Sequence, residues 1–307
     1  MAELAKKPKG LSKLAWQEAR TAYLCLIPAF LGLTLITYLP LLSVFVIGFF
    51  RWRGLTPPVF VGFGNYIRLF TADPFFIDSI KVTIYFSLLA VTGSMVYSFV
   101  VALLLNRKVP ARSFWRAVFY LPYILPGVAV YVGWSWLYES NFGLFNYILS
   151  VFGINKIAFV ADSRWVVPSL ALIAVWASGN LIVIYLAGLQ NVPRVYHEAA
   201  EIDGANWWQR FCNVTIPCMT PIIFYNLLMS LIINMQVVVP ALTLTSGGPG
   251  NASMFMTYLM YRYAFTNGHI GYACAIAFVF FVIIAIFTGI LFATSRKWIF
   301  YEGDESK

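Results

Sequence analysis

The sequence predicts an all-α, polytopic membrane protein with six transmembrane helices and both termini cytoplasmic. Three observations carry that prediction. The 307 residues are 61% hydrophobic, 18% aromatic and only 11% charged, whereas soluble domains carry about 25% charged residues. Six apolar runs meet or nearly meet the roughly 20 residues that a helix needs to cross a bilayer core about 30 Å thick. Summed over alternate connecting segments, the cations divide unequally between the two sides, the asymmetry that the positive-inside rule reads. The same composition excludes disorder and a coiled coil, and four cysteines in so long a chain set no disulfide framework. The net charge of +9 does not imply a nucleic-acid partner, because the cations sit in short stretches between apolar runs, where they orient the chain against lipid.

The runs cover residues 23–50, 82–105, 118–137, 169–189, 221–240 and 271–292, and none contains Asp, Glu, Lys or Arg. The first is long and carries Pro28 and Pro40, so a kink or a partly interfacial end is expected. It exceeds a signal-peptide core and lacks a small-x-small cleavage site, so it belongs to the mature chain. The segments sharing a side with both termini hold 14 Lys and Arg against 7 in the other set, which places the termini inside. The domain reading is therefore a cytoplasmic segment 1–22, one transmembrane domain 23–292 and a cytoplasmic tail 293–307, with no soluble domain and no internal repeat. Outer loops fall at 51–81, 138–168 and 241–270. Of the inner loops, 106–117 carries four cations beside Trp115 and reads as an anchor at the lipid surface, while 190–220 is too long for a tight connection.

Ion-coupled transporters place ionisable side chains inside their spans. Here both histidines, His197 and His269, fall in loops, so a proton relay or an intramembrane acid and base has nothing to run on. There is no phosphate-binding Gly-x-x-x-x-Gly-Lys loop, no His-Glu-x-x-His and no cysteine spacing typical of a metal site. Cys25 and Cys274 sit in spans, and Cys212 and Cys218 flank Pro217; they read as thiols without a special role. No catalytic residue, metal ligand or bound cofactor is expected. For a membrane enzyme only Asp73, Asp78, Glu139 and Asp162 are available outside, and they form no catalytic pattern.

The polar residues within the spans are neutral and regularly spaced. Thr83, Ser87, Ala90, Ser94 and Ser98 fall within roughly 80° of one another on a helix, as do Asn226, Ser230 and Asn234, with Gln236 near the outer end of that span. The fourth span pairs Trp176 with Asn180. One reading is packing, in which small and amide residues join helices in lipid with about 1 kcal/mol per hydrogen bond. The other is a neutral path for a hydroxyl-rich solute, with amides donating and accepting and aromatic rings covering apolar faces. Both readings stay open, and the path residues would be Trp176, Asn180, Asn226, Ser230, Asn234 and Gln236.

The loop 190–220 has local structure of its own. Pro193 suits the first turn of a helix that continues through Glu198, Ala199, Ala200, Glu201 and Asp203, and Gly204 can adopt the left-handed conformation that ends it. Asn206 and Gln209 form a capping-box pattern that starts a second short helix, which Pro217 and Pro221 close. The expectation is two short helices lying across the cytoplasmic face. Small residues beside carboxylates suit a docking knob; Val195, Tyr196, Trp207 and Trp208 suit equally an interfacial helix resting in headgroups.

These residues resemble a known family. Glu198-Ala199-Ala200, Asp203-Gly204-Ala205 and Ile216-Pro217 are similar to the coupling-loop signature of permease subunits of bacterial binding-protein-dependent ABC importers. Phe60-Val61-Gly62-Phe63-Gly64-Asn65-Tyr66, Ala187-Gly188-Leu189-Gln190 and the stretch from Leu242 to Pro249 resemble its carbohydrate-uptake, maltose-type branch. The resemblance implies a compact six-span permease in the bacterial cytoplasmic membrane. Its partners would be a second permease subunit, two ATP-binding subunits that hold ATP and Mg, and an extracellular solute-binding protein. Glu198, Ala199, Ala200, Glu201, Asp203, Gly204 and Ala205 would dock into an ATP-binding subunit, and this chain would bind no ATP. The Gly247-Gly248-Pro249-Gly250 stretch reads locally as a flexible turn, and by resemblance as an outer loop facing the binding protein. The solute would be a carbohydrate; an oligosaccharide is favoured over a glycerol phosphate because no cation lines a span. The alternative class is a self-sufficient carrier or uniporter for a neutral solute.

Overall fold

The computed structural model describes residues 13–300. Residues 1–12, with Lys6, Lys7 and Lys9, and residues 301–307, with Lys307, lie outside them, so those parts of the expected terminal segments have no structural account. The described chain is mostly helical. Four helical runs are long and apolar enough to cross a membrane, Trp16–Ile47, Phe76–Asn106, Trp207–Met235 and Ile270–Ser295, and two bent helix pairs bring the number to six if each pair is one span.

The first run joins α1 (Lys13–Gly32) to α2 (Leu39–Ile47) through a π-helical turn, Leu33–Tyr38. In place of a sharp kink, the widened turn lies just ahead of Pro40, where a proline ring would otherwise meet the carbonyl four residues back. None of the residues in its most apolar stretch is buried; only the end of α2 packs inward, with Phe45 against Phe278 at 4.6 Å. An outer hairpin follows, β1 (Phe50–Arg51) antiparallel to β2 (Val59–Phe60), and then α3 (Gly64–Thr71). Asn65 ties α3 to this hairpin by donating to the carbonyls of Gly48 and Phe50, each at 2.9 Å.

The long helix α4 (Phe76–Asn106) is the axis of the fold and packs against α8 (Val166–Trp176), α9 (Gly179–Asn191) and α12 (Ile216–Met235). Thr83, Ser87, Ala90, Ser94 and Ser98 are all buried, so the face that the sequence marked as small and polar is the seam of these contacts. Small side chains let helices approach where lipid provides no hydrophobic drive between them. Thr83 Oγ1 accepts from the Met256 N–H at 2.9 Å, and Ser98 shares a 2.8 Å hydrogen bond with Ser178. The inner end of the seam is a cluster including Val101, Leu105, Tyr185, Leu189 and Met219; the outer end is built on Phe76, Met256, Leu259 and Ile276.

Two of the runs read as continuous spans are broken. Residues 118–137 divide into α5 (Arg112–Ile124) and α6 (Gly127–Leu137), which meet at 98°. Leu125 is extended (ψ 141°) because the ring of Pro126 disfavours helical geometry in the residue before it. Residues 169–189 divide into α8 and α9, bent by 47° at Ala177 and Ser178. An outer helix, α7 (Leu144–Val151), lies between α6 and α8.

The inner loop also departs from expectation. After α10 (Arg194–Ile202), the second short helix α11 (Trp207–Arg210) does not stop at the prolines. It continues through a π-helical turn, Phe211–Thr215, into α12, making a single run from Trp207 to Met235. Pro217 falls in the first turn of α12, where a missing N–H costs little, and the carbonyl of Pro217, left free by Pro221, accepts from Thr220 Oγ1 at 2.7 Å. Beyond α12 come a further π-helical turn, Ala241–Thr245, then α13 (Met256–Tyr261) and α14 (Ile270–Ser295).

Candidate functional site

The sequence motif between Glu198 and Ala205 folds into one exposed helix end. Gly204 has φ +79°, and around it the Gly204 N–H donates to Glu201 O at 3.1 Å and the Ala205 N–H to Ala200 O at 2.9 Å. This pair of bonds is a Schellman closure, which satisfies the last helical carbonyls and needs a left-handed residue at the position Gly204 holds. The motif's spacing thus has a local cause: Ala200 and Ala205 are the two ends of the 6→1 bond, and both are half-buried. Glu198, Ala199, Glu201 and Asp203 face outward. Glu201 pairs with Arg210 at 2.9 Å, bracing α10 against α11, whose start is held by the reciprocal bonds of Asn206 and Gln209 at 2.9 and 2.8 Å. Ile202 is 87% exposed at the tip. A bare aliphatic side chain between carboxylates at a rigid turn suits a partner's pocket.

A second site lies where α8 breaks. Ser94 from α4, Tyr123 from α5, Ser178 and Asn180 at the break, and Ser230 and Asn234 from α12 line a cavity of about 170 Å³. The break is fixed by Ser178, whose hydroxyl bonds Ser98 and donates to Val175 O at 2.7 Å. Gly179 admits α5 against the start of α9: a Cβ there would stand 2.6 Å from Phe119 O. Asn234 donates to Ser230 O at 2.8 Å, while the Asn180 amide has no hydrogen-bond partner among the described residues. The lining holds no carboxylate, amine, guanidinium or imidazole.

Of the six path residues named from sequence, the cavity brings together Asn180, Ser230 and Asn234. Asn226 is fully buried one turn deeper, its Nδ2 3.5 Å from Leu181 O, bridging α12 to α9. Trp176 packs edge-on against Trp134 at 5.5 Å, within an aromatic cluster that includes Phe145 and Phe159. Gln236 is the exposed residue that terminates α12. Sequence reasoning missed Ser178 and Tyr123. The Ser178-Gly179 pair in the middle of an apolar run was the available signal for a break.

Asp73, Asp78, Glu139 and Asp162, the four carboxylates expected outside, each hold local structure. Asp73 accepts from the N–H groups of Phe75 and Phe76 at 2.8 and 3.1 Å, starting α4, and from the phenols of Tyr263 and Tyr272 at 2.7 and 2.6 Å. Burial, then the hydrogen bond to Asp73 and its charge, push the Tyr263 phenol up to about 12. Burial, with Arg53 and Arg68 nearby, holds the His269 imidazole below its ordinary value. Asp78 pairs with Lys81, Asp162 accepts from the Arg164 N–H, and Glu139 accepts from the N–H groups of Asn141 and Phe142, bonds that lower its carboxyl. The Gly247 to Gly250 stretch is a tied turn: Ser253 Oγ, fully buried, donates to Gly248 O and meets Thr245 Oγ1, each at 2.6 Å.

An apolar helical body with a rigid exposed turn and an uncharged cavity fits the membrane component of a transporter. The chain belongs to the family of binding-protein-dependent transport system inner membrane components, which matches residues 90–299. It is 34% identical to the probable ABC transporter permease protein YesP of Bacillus subtilis, over 99% of this chain and 98% of that one. It is 30% identical to the trehalose/maltose transport system permease protein MalF of Thermococcus litoralis, over 93% and 97%. Its fold matches a chain of a bacterial ABC transporter involved in the import of the acidic polysaccharide alginate, with TM-score 0.77 at 22% identity, covering 92% of this chain and 98% of that one. It is an integral membrane permease component.

Proposed function

We propose that this chain is the transmembrane subunit of a bacterial ABC importer that carries a carbohydrate, an oligosaccharide by preference, across the cytoplasmic membrane. Each bent pair is one span, giving six, with both termini cytoplasmic. A second permease completes the pathway, two partner subunits bind and hydrolyse ATP with Mg, and an extracellular solute-binding protein delivers the sugar. Carbohydrate is supported by a relative named for trehalose and maltose and by a cavity of hydroxyls and amides without charge.

One observation carries the mechanism: α9 runs without a break from the cavity to the short Val192-Pro193 link that begins the docking helix α10. Its thirteen residues, Gly179–Asn191, span about 20 Å at 1.5 Å per residue, with Asn180 at one end and α10 beginning three residues beyond the other. Movement of α10 by the ATP-binding subunits is thereby delivered to the α8–α9 break, where the lining from α4 and α12 meets it. The cavity is smaller than the ~300–1,000 Å³ of small-molecule sites, which supports a pathway shared with the second permease and disfavours a self-sufficient carrier.

Reconstitution tests the reading directly. The chain with its partner subunits and binding protein should accumulate sugar only when ATP is supplied, and the chain alone should not. Asn180→Ala, which removes no internal hydrogen bond, should raise the KM for sugar while leaving thermal stability within about 0.5 kcal/mol. Uphill uptake by the isolated chain overturns the proposal.

A further inference from the structure

Two arginines at the base of α5 have no role in the pathway above. Arg112 and Arg116, one helical turn apart, both direct an Nη2 at the amide of Gln190, whose oxygen accepts from them at 3.0 and 2.9 Å when the amide is oriented to face these two donors. Both Nε atoms are buried and have no hydrogen-bond partner. Neither guanidinium takes part in the ion pairs among the described residues, and the sequence has no carboxylate anywhere between Asp78 and Glu139.

Two full charges sharing one neutral acceptor repel each other in a partly desolvated place. The last turn of α9, where Gln190 sits, favours a nearby cation through its dipole. That accounts for one arginine, not for two, and it leaves most of ten N–H donors unused. Two convergent guanidinium groups with buried, unpaired Nε–H donors suit an anion, and planar guanidinium forks are the side chains best matched to phosphate oxygens.

The surroundings identify where the phosphate comes from. Trp115, within about 60° of Arg112 around the same helix, is exposed, presenting an aromatic ring at the level where such residues meet headgroups. We propose that Arg112, Arg116 and Gln190 hold the phosphate of an anionic phospholipid from the inner leaflet, with Trp115 beside its headgroup and its chains in the surrounding bilayer. Basic clefts between membrane helices on the cytoplasmic side recognise lipid headgroups in this way. The assignment to the inner leaflet rests on the orientation given under Proposed function. A headgroup seated there joins α5 to the last turn of α9, just before the docking helix, and so makes coupling dependent on anionic lipid.

The test uses the full chain, purified in mild detergent with any subunits that accompany it and placed in phosphatidylcholine nanodiscs with phosphatidylglycerol as a minor component. Native mass spectrometry should show phosphatidylglycerol retained in preference to phosphatidylcholine. The Arg112→Gln plus Arg116→Gln double variant should lower that retention by roughly a hundredfold, about tenfold for each charge-assisted hydrogen bond lost. The Arg107→Gln plus Lys108→Gln variant, in the same loop and equal in charge, should change it at most a few-fold. Equal loss in the two variants, or no preference in the wild type, overturns the site, and the wild-type arm does not depend on any variant folding. Displacement of the lipid by inorganic phosphate at millimolar concentration, with equal binding in pure phosphatidylcholine, overturns the lipid assignment in favour of a soluble phosphate. Failure of sugar transport in every lipid, with retention intact, counts against the transport reading and leaves the lipid site standing.

Discussion

Replacing Gly204 isolates the conformational demand of the docking turn from every other effect. Its φ of +79° lies in the left-handed region, and a Cβ built there meets no atom of this chain within 4 Å. A substitution therefore costs backbone strain alone, about 1–2 kcal/mol for an ordinary L-residue, more for a β-branched one and least for Asn, which visits this region readily. That energy does not unfold the protein. It shifts the closure made by Ala205 N–H on Ala200 O by a factor of about 5–30, so the correctly formed turn is populated less. ATPase activity stimulated by the binding protein, measured in the reconstituted importer, should fall in the order Gly, Asn, Ala, Val, with the Asn variant near wild type and the Val variant lowest. Thermal stability of the membrane body should be unchanged throughout. If Asn is as damaging as Val, glycine is needed for the space it leaves to a partner, and the backbone argument is refuted.

The outer clasp makes further measurable demands. Asp73→Ala orphans two buried phenols and the start of α4, and should lower stability to thermal unfolding in detergent by about 2–4 kcal/mol, with Asp73→Asn losing roughly half as much; a wild-type melting curve for the Ala variant refutes the clasp. The depressed His269 value sets the acid limb of stability: the folded state disfavours the imidazolium, so its contribution is complete above the unfolded pKa of about 6.5 and is lost as pH falls through it. His269→Gln should flatten the melting temperature between neutral and mildly acid pH. The raised Tyr263 value acts in the opposite sense, with stability present below about 10 and lost toward 12.

What the sequence made legible was what neighbouring residues decide. The docking turn could be read from Ala200, Gly204, Asn206 and Gln209 because its bonds span at most five residues. The apolar runs could be read because backbone in lipid must be helical. The cavity was legible only in part, because a 100° repeat assumes an unbroken helix. Trp176 and Asn180 share a face on that assumption, but the bend at Ala177 and Ser178 puts them on different helices, and Trp176 turns to Trp134. Gln236 leaves the stripe of Ser230 and Asn234 because α12 ends at Met235. The 98° turn before Pro126 had a local cause in the Leu125-Pro126 pair, yet hydropathy summed across it without a sign of the break. Convergence of Arg112 and Arg116 on Gln190 joins helices more than seventy residues apart, and nothing local announces it.

The chemistry of the cavity decides where the energy for uphill transport enters. Coupling to a proton requires a group that binds it on one side and releases it on the other, with a pKa within the working range. Ser94, Ser178, Asn180, Ser230 and Asn234 offer none, and the lining holds no carboxylate, amine, guanidinium or imidazole. On the reading proposed above, the cavity exchanges no proton for sugar, and the work arrives mechanically at α10 and travels along α9. In proteoliposomes loaded with ATP and holding all subunits, collapsing the proton gradient with an uncoupler should leave the initial rate of sugar uptake unchanged, whereas removing ATP should abolish it. A rate that falls with the gradient while ATP remains saturating would show that a proton site exists elsewhere in the pathway and that the lever along α9 is not the sole input.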